Sequence, residues 1–473
     1  MKKILIIMLS IMAMGCEKEL DIAPQSSFTT ENFYRNQNDI EQVVTSAYAF
    51  LQSEGQYGEN FHFFMEVRAD NSVETGLTTR GGSFGEFEVF NINPSNSVLN
   101  ETWTDCYKGI QSCNIVINRI DAIPGMSQNL KDVRKGEALF IRALTYFNLV
   151  RIWGDVPLVL KETVNPFDYF DIGKTAAATI YAQIETDLQT AANFLPIAQS
   201  QVGRATKGAA QALLGKVYLT QNKYGPCITT LRALNGYGYE IVGSYAQVFG
   251  PQFENSKESI FEIQFTGGIG GEGTALTNLF TPLGANSIVN NIGTPSGHNS
   301  PTKELRDAYA ANDLRKAVTI GEVNGKLYPK KYITEPKGPN DSDVNVVVLR
   351  YADVLLMLAE ALNEQGYSAD ANGEAFKLIN QIRNRAGLSN YTPAMLPNQS
   401  SFRDAVAKER RFELAFENHR WFDLVRTGKF VSVMNSSSQE AGPFTVSQNN
   451  AVYPIPLAQI DINPTKIKQN EGY

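Results

Sequence analysis

Apolar and polar positions alternate along most of this chain with the period of a helix. In Lys135–Val159 the apolar residues fall at Ala138, Leu139, Ala143, Leu144, Phe147, Val150 and Ile152, a spacing that predicts a helix with more than one buried side. Such a helix is the centre of a core. Gly154-Asp155 ends it, because glycine permits the turn and Pro157 pushes the residue before it out of the helical region. Glu137, Arg142 and Arg151 lie within the same run. Each needs a partner or an exposed edge, since an unpaired buried charge is strongly destabilising.

The same period recurs on both sides. Asp39–Gln52 carries Ile40, Val43, Val44, Ala47, Tyr48 and Leu51, with Asp39 placed to cap. Asn100–Ile120 repeats it through Trp103, Tyr107, Ile110, Ile117 and Ile120. A helix capped by Thr175 runs through Ile180, Ile184, Leu188 and Ala192 to Leu195-Pro196. Ala205–Thr220 and Lys223–Leu234 form a pair containing Leu214-Gly215-x-x-Tyr218, a tetratricopeptide fragment whose glycine lets the next helix approach. Arg350–Glu364 and Ala371–Arg385 form another. Four pairs follow, the first two broken by insertions. The expected fold is mostly α: tetratricopeptide-like pairs forming a scaffold, with long loops and a few short strands packed on it.

Two stretches lose the period. Tyr57–Asn96 fills with Gly, Asn, Thr and Phe, and a loop of that length is usually functional. Gly236–Asn345 reads as loops and short hairpins, with strand composition at Ile260–Phe265 and Val344–Leu349. The end, VYPIP at Val452–Pro456 and QNEGY at Gln469–Tyr473, is extended chain expected to lie across the body.

Composition changes the picture at the N-terminus. MKKILIIMLSIMAMGC has the basic start, short apolar run and small residue of a signal peptide. The run Ile4–Met14 is short for a bilayer span, which needs about 20 apolar residues. Gly15-Cys16 closes it as a lipoprotein cleavage site does. The expected organisation is a signal peptide at 1–15, a lipid-anchored tether at 16–27 with Cys16 acylated, and a single domain at 28–473 with a loop-rich insertion at about 236–345. Cleavage removes Lys2 and Lys3, taking 42 basic residues to 40 against 49 acidic ones, and the formal charge from −7 to −9. That balance argues against nucleic acid and anionic lipid as partners. Cys106 and Cys113 lie two turns apart on one helix, too far to bridge; with 473 residues and 43% hydrophobic content, the core needs no staples.

Catalytic and metal motifs are weak. Gly268-x-Gly270-x-x-Gly273 follows a strand but precedes no long helix, and Asn290 and Asn291 stand where a ribose-binding acid belongs. Asp341-x-Asp343-x-Asn345 opens like a calcium loop, yet Val346 replaces the required glycine and Ala352 the final glutamate. His62, His298 and His419 are scattered without zinc spacing. Glu409, Glu413 and Glu417 stand four apart among Arg410, Arg411 and Arg420, a structural ion-pair ladder rather than a glycosidase pair. No G-x-S-x-G elbow appears. No cofactor, metal or enzyme activity is expected. Binding is better supported: Tyr57, Phe84, Phe87 and Phe90 beside Asn71, Arg80 and Asn96 combine the aromatic platforms and polar groups that a sugar's faces and edges require.

Several segments in order resemble the SusD/RagB family of outer-membrane nutrient-binding lipoproteins. They are WTDCYKGIQSCNIVIN at Trp103–Asn118, Glu137–Pro157, Ile184–Pro196 with Asp187-Leu188, GRATKGAAQALLGKVYL at Gly203–Leu219 and RYADVLLMLAEALNE at Arg350–Glu364. INQIRNRAGL at Ile379–Leu388, ERRFELAFENHRWFDLVRTG at Glu409–Gly428 and the terminal PIP and QNEGY complete the set. The resemblance implies a lipid-anchored, non-enzymatic protein on the outer-membrane surface that captures an oligosaccharide and acts as the lid of a SusC-like TonB-dependent transporter. A peptide-capturing lid and a surface glycosidase are the alternatives. It places the ligand on loops here spanning Tyr57–Asn96 and Gly267–Asn299. The candidates are Tyr57, Asn71, Arg80, Phe84, Phe87 and Asn96 in the first loop, with Phe280 and Asn291 in the second. Arg350, Asp353, Glu409, Arg420 and Asp423 are assigned to folding.

Overall fold

The computed structural model describes residues 34–74, 82–165 and 167–473. The expected signal peptide at 1–15, Cys16, the expected tether at 16–27 and Arg80 lie outside the described residues. The scaffold is a stack of helix pairs. Helix α1 (Gln37–Leu51) starts where Asn36 accepts from the Asp39 amide and Asp39 reaches back, so Asp39 completes a capping box rather than serving as the cap. Helix α2 (Ser97–Arg119) pairs with it. Then come α3 (Gln128–Trp153) with α4 (Ala177–Phe194), and α5 (Lys207–Thr220) with α6 (Tyr224–Arg232). Helix α7 (Tyr351–Gln365) with α8 (Glu374–Arg385) forms the fourth pair. Each pair also packs on the next, α2 on α3, α4 on α5 and α6 on α7, so the apolar faces close into one core.

Helix α3 is the centre that its pattern predicts: every residue from Gly136 to Val150 is buried. It begins earlier than the apolar run, at a Ser127 cap, and stops at Gly154, where φ is 71°. Its charges find partners. The Glu137 carboxylate accepts from Arg134, Arg204 and the Tyr48 hydroxyl. Arg142 forks onto Asp187 at 2.8 Å through both nitrogens, clamping α3 to α4. Arg151 has no carboxylate; it donates to Phe147 O and Asn148 Oδ1 and lies between the Phe147 and Phe422 rings. Burial pulls its pKa down to about 10. Thr175 is not the cap of α4: its amide bonds to Val156 O, and Asp155 Oδ1 accepts from the Ala177 amide instead. Gly215 meets its predicted purpose, since a Cβ there would stand 2.2 Å from Leu231.

Among the described residues six short strands sit on this scaffold. Strand β1 (Ser72–Val73) pairs with β3 (Ser300–Pro301), β2 (Ser259–Ile263) with β6 (Val346–Arg350), and β4 (Ile320–Val323) with β5 (Lys326–Pro329), all antiparallel. The two strands expected from composition therefore pair with each other, Ile263 opposite Val346. Tyr57–Asn96 is not mainly open loop. A π-helical turn at Glu54–Gly58 leads into it, and it contains a second at Phe63–Val67 and a four-residue helix at Gly85–Glu88; the π period differs from 3.6 and the helix is a single turn, so neither left a helical signature. The terminal chain crosses the end of α3: Tyr453 N donates to Ile152 O, Trp153 Nε1 to Pro454 O, and Asn470 Nδ2 to Trp153 O.

The glutamate ladder is internal and differently wired. Helix α9 (Gln399–Glu413) ends before Glu417, and Phe416 and Asn418 beyond it adopt positive φ. Glu409 pairs with Arg315 and Arg383, Glu413 with Arg315, Arg350 and Arg385, and Glu417 with Arg350 and Lys331. The interleaved arginines turn elsewhere: Arg410 to Asp353 and Asp423, Arg411 and Arg420 to Asp70. Burial alone would raise the Glu413 carboxyl, but Arg385, Arg350 and Arg315 hold it at about 2.

Candidate ligand-binding cavity

The loops predicted to carry a ligand do meet around a cavity, of about 300 Å³. Its lining comes from three places. The C-terminal end of α1 and the π-helical turn after it supply Gln52, Glu54 and Glu59; Phe265 supplies ring surface, with buried Phe84 behind it; Thr274 and Asn340 supply polar edges. Gly58 makes the tight π turn, since a Cβ there would stand 2.4 Å from Gln52 O. Gln52 Nε2 donates to Gln264 O at 2.6 Å, joining α1 to the strand segment. The far wall is fastened by hydrogen bonds between two distant loops. Thr274 and Ser342 exchange backbone bonds at 3.1 Å, the Asp341 carboxylate accepts from the Gly268 amide, and Asp343 accepts from the Gly267 amide. Asp341 and Asp343 thus hold the glycine run in place, which explains both the false nucleotide fingerprint and the false calcium loop. Gly273 is required there, because a Cβ would collide with Asp341 Oδ1.

Most of the predicted contacts are buried in the protein and do not line this cavity. Phe84 is fully buried and stacks on Phe63 at 3.7 Å with 2° between the rings, leaving one edge at the cavity floor. Phe87 is fully buried between Phe64 and Tyr453, and Phe280 packs edge-on to His62 and Tyr332. Tyr57 is buried, its hydroxyl accepting from Asn148. Phe90 lies with Trp421 and Phe444, its ring over the Arg68 guanidinium. These rings are core, because a chain with 26 phenylalanines and only 3 tryptophans fills its interior with Phe. Asn71 is buried and accepts from Arg411 Nε at 2.7 Å. Asn96 is the N-cap of α2, accepting from Val98 N and donating to Glu86. Asn291 is exposed, in a left-handed turn. The exposed aromatic platform expected from Tyr57, Phe84, Phe87 and Phe90 is therefore not formed by them.

Beneath the cavity runs a buried titratable cluster. His298 Nδ1 lies 2.8 Å from Glu74 Oε1, and Glu88 accepts from the Glu74 amide. Burial raises Glu88 to about 8 and Glu66 to about 8, and lowers His62 to about 3. Among the described residues no group of three or more His, Cys, Asp or Glu is arranged to hold a metal. Sequence reasoning missed Gln52, Glu54, Glu59, Thr274 and Asn340. The only trace they leave is the pair of glycines, Gly58 and Gly273, that permits their approach.

A paired-helix stack of this order, with its terminal segment across the central helix, matches solved structures over nearly its whole length. One named as a laminarin-binding SusD-like protein superposes with a TM-score of 0.80 at 28% identity, covering 93% of this chain and 100% of its own. Surface glycan-binding protein A of Bacteroides thetaiotaomicron, solved in complex with laminarihexaose, shares the fold with a TM-score of 0.79 at 23% identity and 92% and 99% coverage. The family model described as the SusD family matches residues 316–473, and the one described as starch-binding associating with outer membrane matches 18–219. A SusD-like protein of Formosa agariphila is 27% identical over 524 residues, 97% of each chain. The chain belongs to the SusD/RagB family. Within this SusD/RagB fold, the cavity draws its lining from both loop segments, Gly58 and Glu59 from the first and Gly273 and Thr274 from the second.

Proposed function

We propose that this SusD/RagB protein captures oligosaccharides at the outer-membrane surface, anchored through acylated Cys16, and passes them as a lid to a SusC-like TonB-dependent transporter. The observation that carries the reading is the cavity itself: carboxylate, amide, hydroxyl and phenyl groups converge on one opening between loops in a fold shared with glycan-binding proteins. Laminarin, named for the 28% identical structure, is the first ligand to test. Ligand would favour the closed lid only through its extra affinity for that state.

Titration calorimetry against laminarin oligosaccharides, other glycans and peptide mixtures tests the reading. Saturable heat with a glycan and none with peptides is expected, with the bound oligosaccharide recovered at unchanged length. Asn340 is exposed at the cavity and has φ of 56°, so Asn340→Gly removes its amide without backbone strain. Losing one hydrogen bond there should weaken glycan affinity by about five- to tenfold while thermal unfolding stays unchanged. Heat with peptides alone would favour the peptide-capturing lid. Because Glu54 and Glu59 both line the cavity, shortening of the oligosaccharide that disappears in Glu59→Gln would favour a glycosidase.

A further inference from the structure

A second concavity, a groove of about 730 Å³, opens between α2, the segment 157–172 and the terminal segment. Its walls are Trp103, Tyr107, Phe170, Ile172, Ile462 and Ile467. Most of its polar side chains are already bonded within the protein, although Lys108, 57% exposed and paired with Asp105, also lines it. Both amide atoms of Gln111 bond the Thr163 backbone at 2.9 Å, Gln459 Nε2 donates to Asn100, and Asn463 donates to Phe170 O. Little is left to satisfy a sugar's hydroxyls, so the groove suits an apolar occupant. The apolar surface extends beyond it: Phe167 is 75% exposed, Val164 and Ile462 59%, and Phe170 49%. Patches of this kind mark interaction surfaces. Charge does not select the occupant, because exposed Lys161, Lys466 and Lys468 are interspersed with exposed Asp168, Asp171 and Asp461.

The described chain begins beside this face. The Tyr34 ring lies 4.7 Å from the Arg119 guanidinium, and Arg119 forks onto Glu162, whose neighbour Thr163 lines the groove. Tyr34 is therefore at the groove's rim. Seventeen residues separate it from Cys16, a reach of roughly 60 Å at full extension. We propose that this face rests on the lipid surface of the membrane, Phe167 and Phe170 entering the headgroup region while acyl chains bed in the groove. Exposed aromatic and aliphatic tips beside an apolar groove are the interfacial chemistry of membrane-lying segments. The proposal rests on the anchorage at Cys16 proposed above.

The test uses the full lipoprotein reconstituted in phosphatidylcholine vesicles, acylation being verified by mass. Trp153 and Trp421 are buried and Trp103 stands in the groove wall, so the indoles introduced by Phe167→Trp and Leu314→Trp are each read in a Trp103→Phe background. Lipid with brominated acyl chains is expected to quench its added emission by about twofold, equally at low and high salt. Leu314→Trp, 61% exposed on another element, should be unaffected. Acylated, vesicle-bound protein whose Phe167→Trp signal is unquenched overturns this inference alone, as does shielding that appears only with a second copy or with a transporter present. Protein that carries no acyl chain at Cys16 overturns the anchorage and this inference together.

Discussion

Phe84 lies flat on Phe63 and edge-on to His298, with no exposed surface. Truncating it should open a cavity in the core: Phe84→Ala is expected to cost about 3 to 5 kcal/mol, read from urea denaturation, with any loss of binding following that loss of stability. The composition of Tyr57–Asn96 showed rings and amides suited to a sugar; it could not show which way they point. Burial is a tertiary property, and in a region built from π turns no period reveals it. Glu137 and Arg142 were legible for the opposite reason. A charge inside an apolar helical run must be answered, so its partner can be expected before it is seen.

At the scale of elements, the helices follow their apolar period closely, while caps and ends shift by several residues. Asn36, Asn96 and Asp155 act as the caps because an Asn or Asp side chain reaches back to an orphan amide only from a non-helical position, which the apolar pattern does not mark. The π turn at Glu54–Gly58 is the element on which the candidate cavity depends. Gly58→Ala would push a methyl group against the Gln52 and Ser53 carbonyl oxygens, at 2.4 and 2.8 Å, and force the backbone to move. The expected result is a loss of about 1 to 3 kcal/mol in stability together with abolished glycan heat in calorimetry, since Gln52, Glu54 and Glu59 shift as a group.

Across the whole molecule, buried titratable groups set a pH range for stability. Glu66 and Glu88, raised to about 8 by burial, are protonated in the fold and ionise on unfolding above the ordinary glutamate value of 4.5, so their contribution is full below that value and is lost as pH rises through 8. His62 and His419, lowered to about 3 by burial, act oppositely: their contribution is present above 6.5 and lost as pH falls through 3. Below 4.5 the histidines act together with Glu413, which its arginines hold at about 2 and whose contribution is lost as pH falls through that value, while between 6.5 and 8 the two glutamates set the slope. Unfolding free energy should therefore decline from pH 6.5 to 8, and the double variant Glu66→Gln, Glu88→Gln should flatten that decline in denaturant titrations.

By itself the chain's pattern determined the helix pairs, the central helix and the extended terminal segment, because local period and turn residues dictate where a helix can exist. Family membership was legible too, through segments that keep their order along the chain. Tertiary structure alone decided which aromatic rings became core, which arginine answers each buried glutamate, and which loop residues surround the cavity. Those outcomes depend on contacts between positions far apart in sequence, such as Thr274 with Ser342 and Arg350 with Glu413, and distant pairing leaves no period to read.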